Sequence, residues 1–460
     1  MTKKRVHMVG IGGIGMSALA RYFLAQNWAV TGSDLAASSI TRALSKVGIR
    51  VKIGHKSGNF VKGTDLVVRT AAVPITHPEI QEAMRLQVPV QTYPEALGEI
   101  TKKYETIGVA GAHGKSTSTS LLALAMIRAK MNPTVFVGTK LWEFGDANFY
   151  LGESKHLVIE ADEYGGAFLH YSPAHALVLN VDKEHLDYYG TFAEVQRAFL
   201  GFIANVRPGG NLVLNKDDAT LWSMQKRISA IAKKRDLRVF WFSLKDAAAS
   251  RVRKALRLPG EHNVSNALGV YTLLRILKVP ARDIFYAFSR YMGSWRRMEH
   301  RGKFSIFNFQ FSIQVYDDYA HHPTEIKATL RAFREKFPRK KLVCVFQPHQ
   351  MKRLELLFSD FVGAFSDADL LLLLPVYQVA GRDAERGLRS KDKGAHANSE
   401  ALFTEIRKKY PKLQVEYMAD SKNFRKRLYN VLGKHIHSPA VLIMMGAGNI
   451  FELTGKLVRK

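Results

Sequence analysis

The sequence predicts an α/β protein of three domains, each an alternation of strands and helices. Three observations predict it. Two glycine-rich turns, at 10–15 and 111–114, each follow a short apolar run and open a helix-forming segment, as a strand feeding a phosphate-binding helix does. A third series of apolar runs starts after residue 294. At about 150 residues per domain, a chain of 460 residues has room for three cores. The expected divisions are 1–100, 101–294 and 295–460.

In the first domain the strand RVHMVG meets Gly10, Gly12, Gly13 and Gly15, then a helix, then a strand AVTGSD ending at Asp34. This is the dinucleotide fingerprint: a pyrophosphate at a helix N-terminus and a carboxylate about 20 residues on. On these residues alone an NAD-dependent oxidoreductase is an open reading. The runs IRVKIG, TDLVVRTAAV and VPVQTY continue the domain.

The second domain is organised around TIGVAGAHGKSTSTSLLALAMI, 106–127. Gly111 and Gly114 free backbone N–H groups for phosphate oxygens, Ala112 and His113 complete the loop, and Lys115 adds a point charge. Ser116, followed by Thr117, is placed to hold Mg²⁺. The spacing departs from G-x-x-x-x-G-K-[ST], because Val109 stands where the first glycine is usual, with glycines instead at 108 and 111. Further strands lead into Glu160, Asp162 and Glu163, and into Asn180, Asp182, His185 and Asp187. Ligands collect at the carboxyl ends of such strands. Beside a phosphate loop, carboxylate and imidazole suggest Mg²⁺ sites, with Glu160 the harder ligand of Glu160 and His185.

The segment PGEHNVSNALG, 259–269, opens a helix with His262 and Asn263 expected exposed at its start. GSWRRMEHRG places Arg296, Arg297 and Glu299 beside the last domain boundary. The third series has strands near 314–320, 341–347, 369–377, 413–418 and 440–448, with Asp317, Asp318, His321, His322, His349, Arg353 and Tyr377 at their ends. The paired histidines lack a cysteine or a second spaced pair, so they read as hydrogen-bonding or charged groups.

Composition narrows the class. Hydrophobic residues at 47% and charged residues at 23% are those of a globular protein, and the longest apolar run, DLLLLLPVY, is far short of a bilayer span. No membrane insertion is expected. The N-terminal MTKKRVHMVGIGG has no apolar leader with a small-residue cleavage site, and the single Cys344 cannot form an internal disulfide; a cytoplasmic location is expected. Lys and Arg number 68 against 40 Asp and Glu, a net +28 that would attract anionic substrates or nucleic acid. The basic residues are scattered in pairs and triplets, not gathered in an aromatic-interleaved arm, so no nucleic-acid partner is expected.

From GIGGIGMSALA, SDL, GAHGKSTST, EADE, EHLDYYGT, PGEHNVSNA, RRMEHRG, DDYAHHPTEI, FQPH and GAGNI, in that order, the chain resembles the Mur ligases of bacterial cell-wall synthesis over more than 440 residues. The resemblance implies an N-terminal Rossmann-like UDP-sugar domain, a central P-loop ATPase-like domain and a C-terminal Rossmann-like domain that closes over ATP and an amino acid. It assigns Gly10, Gly12, Gly13, Gly15 and Asp34 to the UDP-sugar. It implies ATP-driven amide formation between L-alanine and UDP-N-acetylmuramate through an acyl phosphate. The alternative within the family is a recycling ligase that joins a murein tripeptide to the same UDP-sugar. By motif position Lys115, His185, Arg297, His322 and Arg353 are catalytic, Asn263 faces the adenine and Asp318 the ribose. ATP and Mg²⁺ are the implied cofactors, with Mg²⁺ on Ser116, Glu160 and His185, and the protein is expected to be a monomer or homodimer. One departure stands out: the family reads FQPHRYTR where this chain reads FQPHQMKR, so Gln350 replaces an arginine, with Lys352 and Arg382 as candidates to supply its charge.

Overall fold

The computed structural model describes residues 3–305, 311–377, 398–420 and 422–458. Three sheets carry the described strands. The first contains β1 (Arg5–Val9), β2 (Ala29–Asp34), β3 (Arg50–Ile53), β4 (Leu66–Arg69) and β5 (Val90–Thr92). Its order is β3-β2-β1-β4-β5 and every pair is parallel. The chain leaves β1 for β2 on one side and later crosses to β4 on the other. That reversal of strand order puts a crevice at the carboxyl end of β1, where the first glycine turn lies.

The second sheet contains β6 (Glu105–Ala110), β7 (Thr134–Leu141), β8 (Ala147–Tyr150), β9 (His156–Glu160), β10 (His175–Val178), β11 (Asn211–Asn215) and β12 (Arg238–Phe242). Its order is β12-β11-β10-β6-β9-β7-β8, with only β7 and β8 antiparallel. Strand β6 is flanked by β10 and β9, so the phosphate loop, Glu160 and Asn180 leave neighbouring strands at the same edge. The third sheet contains β13 (Glu299–Ser305), β14 (Ser312–Asp318), β15 (Lys341–Phe346), β16 (Leu370–Leu373), β17 (Gln414–Tyr417) and β18 (Ala440–Met445), in the order β13-β14-β18-β15-β16-β17. Strands β13 and β14 are antiparallel; the remaining pairs are parallel.

Strand β15 shows why these runs fold as sheet. Its Leu342, Cys344 and Phe346 join one core and Val343 and Val345 another, on opposite faces, and all five are fully buried. An unbroken apolar run is what a parallel strand covered on both faces requires.

The chain divides into two compact units. The first is Met1–Lys183, Thr191–Leu256 and Ser265–Tyr291, and holds the first two sheets; the second is Glu184–Gly190, Arg257–Val264 and Met292–Lys460, and holds the third. Two short segments from the middle of the chain thus belong with the third sheet, and they carry His185 and Asn263. Among the described residues no helix is long and apolar enough to cross a membrane.

Candidate active-site residues

In the first unit the glycine turn after β1 is held from below by the end of β2. The N–H groups of Gly10 and Ile11 donate to the Ser33 carbonyl at 2.9 and 3.0 Å, and the Gly12 N–H donates to Asp34 Oδ2 at 2.8 Å. Asp34 is thus bound to the turn itself. Gly10 has φ +80°, and a Cβ there would lie 2.4 Å from Thr70 Cγ2; one on Gly15 would lie 2.8 Å from Tyr93 Cζ. Gly13 precedes the helix Ile14–Ala25, whose first turn carries no acidic residue, leaving its positive end for an anion.

The phosphate loop is clamped by β10. Asn180 Oδ1 accepts from the His113 N–H at 2.8 Å, its Nδ2 donates to the His113 carbonyl at 3.0 Å, and its own carbonyl accepts from the Ala112 N–H at 3.2 Å. His113 Nε2 lies 2.9 Å from Asp182 Oδ2. Gly114, with φ +83°, caps the helix Lys115–Arg128. A Cβ on Gly114 would lie 2.6 Å from Oδ1 of the buried Asn266.

Lys115 Nζ donates to the Gly111 carbonyl at 2.7 Å and to Glu163 Oε2 at 2.7 Å, with Asp162 Oδ1 at 3.6 Å. Burial alone would lower the ammonium's pKa, but the Glu163 and Asp162 carboxylates outweigh it and raise it, keeping Lys115 charged. Burial pushes the Glu163 carboxyl upward, and Lys115 is the chief charge opposing that push. Ser116 Oγ donates to Glu160 Oε1 at 3.0 Å, and the Gly138 N–H donates to Glu160 Oε2 at 2.7 Å. A hydroxyl and a carboxylate side by side are hard oxygen donors of the kind Mg²⁺ takes. Thr117 is buried in the first turn of the helix behind them.

In the second unit a buried carboxylate organises the basic groups. Glu184 Oε2 accepts from Arg353 Nη2 at 3.2 Å and from the His185 N–H at 3.2 Å, and its Oε1 lies 4.0 Å from His321 Nε2. Burial would raise Glu184, but Arg353, with His185 and His321 behind it, holds it well below the usual carboxylate range. His185 has φ +56° and begins the short helix Leu186–Tyr189. His321 Nδ1 is 3.1 Å from Glu325 Oε2, and Arg297 Nη1 donates to Glu325 Oε1 at 3.5 Å. His322 is buried and caps the helix Pro323–Lys336, accepting from the Thr324 N–H at 3.3 Å. His322 thus serves as a helix cap, and His321 lies beside the Glu325 and Glu184 carboxylates.

Asp318 is buried, with Oδ2 accepting from the Met298 N–H at 2.8 Å and Oδ1 from the Ala320 N–H at 2.9 Å. Asn263, expected exposed, is 5% exposed: its Nδ2 donates to the Pro259 carbonyl at 2.7 Å, so the side chain is drawn into the start of its own helix. Gln350 is buried with φ +67°, and its N–H donates to the Tyr377 carbonyl at 3.2 Å. Lys352 is paired with Glu355 at 3.3 Å, and Arg382 lies outside the described residues.

The structure therefore brings Gly111, Ala112, His113, Gly114, Lys115, Ser116 and Glu160 together at one edge of the second sheet. It gathers His185 and Arg353 around Glu184, and Arg297 beside Glu325. Sequence reading missed Glu184 and Asn266. Both lie within quoted motifs, EHLDYYGT and PGEHNVSNA, Glu184 next to His185 and Asn266 three residues after Asn263.

Comparison with known proteins finds three family profiles along the chain. Residues 5–105 match the profile described as Mur ligase family, catalytic domain; 109–274 match the Mur ligase middle domain; 296–448 match the Mur ligase, glutamate ligase domain. A UDP-N-acetylmuramate–L-alanine ligase of Pelobacter propionicus is 38% identical over 475 residues, covering 99% of this chain and 97% of its own. Among solved structures, the UDP-N-acetylmuramate-alanine ligase of Thermotoga maritima superposes with a TM-score of 0.75 at 26% identity, covering 98% of each chain. A murein peptide ligase of Psychrobacter arcticus shares the fold at a TM-score of 0.70 and 21% identity, over 99% of this chain and 98% of its own. The chain belongs to the Mur ligase family.

Proposed function

We propose that this protein is an ATP-dependent ligase that joins L-alanine to UDP-N-acetylmuramate in peptidoglycan precursor synthesis. The carrying observation is the phosphate loop, where the charged Lys115 lies between loop carbonyls and Glu163, beside the Ser116–Glu160 oxygen pair. The substrates are taken from relatives of 34–38% identity that bear the ligase name over nearly their whole length. Residues 1–100 would hold the UDP-sugar, with its diphosphate on Gly10, Gly12, Gly13 and Gly15; 101–294 would hold ATP and 295–460 the amino acid.

The lactyl carboxylate attacks the γ-phosphorus, the bond to ADP breaks, and an acyl phosphate forms. The L-alanine amine then attacks the acyl carbon, loses a proton, and expels phosphate. In-line transfer between two anions needs charge neutralisation and positioning more than covalent help. The loop N–H groups and Lys115 hold the outer phosphates, and Asn180 fixes the loop's shape. Ser116 and Glu160 would hold Mg²⁺, with His185 serving a second ion; bound there, the metal neutralises charge on phosphate and carboxylate oxygens. Asn263 and Asp318 set the floor on which adenosine would rest, Asp318 by fixing the backbone at Met298 and Ala320. Arg297 would supply a positive group toward the nucleotide, and His322 and Arg353 positive or hydrogen-bonding groups toward the amino acid and its acceptor. With Lys352 turned to Glu355, Gln350 leaves Arg353 as the cationic contact of that motif. The site of action would be the cytoplasm.

Phosphate release by the purified protein with ATP and Mg²⁺ tests the reading. Release that needs both UDP-N-acetylmuramate and L-alanine is expected. Release only with a murein tripeptide would move the protein to the recycling branch, and release independent of the UDP-sugar would reject both.

A further inference from the structure

A cluster of histidines and a carboxylate lies beneath the first glycine turn, and none of its members has a part in the chemistry above. Its centre is Glu79, fully buried at the start of the helix Pro78–Arg85. Glu79 Oε2 lies 2.8 Å from His7 Nε2 and accepts from Ser33 Oγ at 2.7 Å, while His7 Nδ1 is 2.8 Å from Thr31 Oγ1. One carboxylate oxygen is thus fixed by groups on β1 and β2. The other, Oε1, faces Asn59 Nδ2 at 3.2 Å and His55 Nδ1 at 3.6 Å. His55 packs edge-on against His77 with ring centroids 4.4 Å apart.

His77 is the informative member. It is 8% exposed, its Nδ1 takes only a long 3.3 Å contact from the Glu79 N–H, and its Nε2 is buried with no hydrogen-bond partner among the described residues. A buried polar nitrogen left unsatisfied costs about 1–3 kcal/mol, and such exceptions call for a reason. One ligand atom from each of His55, His77 and Glu79 lies within 4.8 Å of the others. Tetrahedral ligands at about 2.0–2.1 Å from a metal stand roughly 3.3 Å apart, so closing the site requires side-chain shifts of about an ångström.

We propose that His55, His77 and Glu79 form a binding site for a borderline-soft divalent cation of the Zn²⁺ class. Two imidazoles and a carboxylate are a donor set that Zn²⁺ takes with a water in the fourth place. The fixed Oε2 is the outer support expected of a ligating carboxylate, with His7, Ser33 and Thr31 aligning it. Ligation through His77 Nε2 moves the ring proton to Nδ1, exchanging the long cap contact for a metal bond. Hard Mg²⁺, which prefers oxygen, is disfavoured here. Because the Ser33 carbonyl also holds Gly10 and Ile11, the ion would brace the glycine turn from behind.

The test is Zn²⁺ and Co²⁺ titration of the full-length protein against a chromophoric chelator, comparing wild type with His77→Asn and His55→Gln. Wild type is expected to take one more equivalent of Zn²⁺ than either variant, so metal held at other sites cancels. Its Co²⁺ form should show the visible bands of a four-coordinate centre, absent from both variants. Thermal unfolding in excess chelator checks that the variants fold; a Zn²⁺-dependent rise confined to wild type is expected. Equal stoichiometry and identical Co²⁺ spectra in wild type and two folded variants would overturn the site.

Discussion

Replacing Lys115 with methionine removes the ammonium while keeping much of the stem, and its two consequences separate. Lys115 and Glu163 are 11% and 1% exposed at the side chain and 2.7 Å apart, so their interaction is little screened. Breaking a buried pair from one side costs about 3–5 kcal/mol, because the remaining carboxylate keeps its desolvation penalty. Burial favours the protonated form of Glu163, so in Lys115→Met the loss should grow as pH rises and the carboxyl is forced to ionise. Turnover should fall on the order of 10²–10³-fold or more from loss of the charge on the transferring phosphate. Adding Glu163→Gln removes the stranded charge. The double variant should regain about 2 kcal/mol or more of stability in urea unfolding and none of the phosphate release. A double variant as unstable as Lys115→Met would refute the pairing, and one that regained turnover would refute the role of Lys115.

The other substitutions probe separate parts of the chain. Asp34→Ala frees the Gly12 N–H and should weaken UDP-N-acetylmuramate binding about tenfold while leaving ATP affinity alone, as calorimetric titration of each ligand would show. Glu184→Gln leaves Arg353, 8% exposed, without its carboxylate, and should cost about 3 kcal/mol of stability and raise KM for L-alanine; unchanged values of both would remove Glu184 as the organiser. Asp317, beside Thr454 and Arg301, is pushed up to about 6 by burial. A raised carboxyl contributes stability below its unfolded value and loses it as pH rises through the folded one. Wild type should therefore lose up to about 3 kcal/mol between about pH 4 and 6 relative to Asp317→Asn, read from paired urea titrations.

Much of this architecture was legible in the sequence where local and global requirements coincide. Strands β1, β4, β6, β9, β10 and most parallel strands of the third sheet are short runs dominated by apolar residues, as buried parallel strands must be. The strands not read are β7, β8, β11, β12 and β13, and three of them depart from a plain apolar run. Strand β13 is mostly polar and carries a shifted register between His300 and Gly302, β8 has four residues, and β7 contains Gly138, whose lack of a side chain admits Glu160. The glycine turns and Lys115 were visible because phosphate binding demands those residue types at that spacing. Glu184 was not, because what marks it is burial among Arg353 and His321, from distant parts of the chain. Asn263 was misplaced for a related reason: at a helix start an asparagine is ordinarily an exposed cap, and only the fold shows it turned inward to Pro259.

The most direct test of the ligase reading follows oxygen. With the lactyl carboxylate of UDP-N-acetylmuramate carrying a heavy-oxygen label, and ATP, Mg²⁺ and L-alanine supplied, an acyl phosphate route must transfer one labelled oxygen to the released phosphate. Mass spectrometry should find that label in inorganic phosphate in proportion to the amide formed. Label appearing in AMP, or unlabelled phosphate accompanying the amide with the lost oxygen recovered in water, would contradict it.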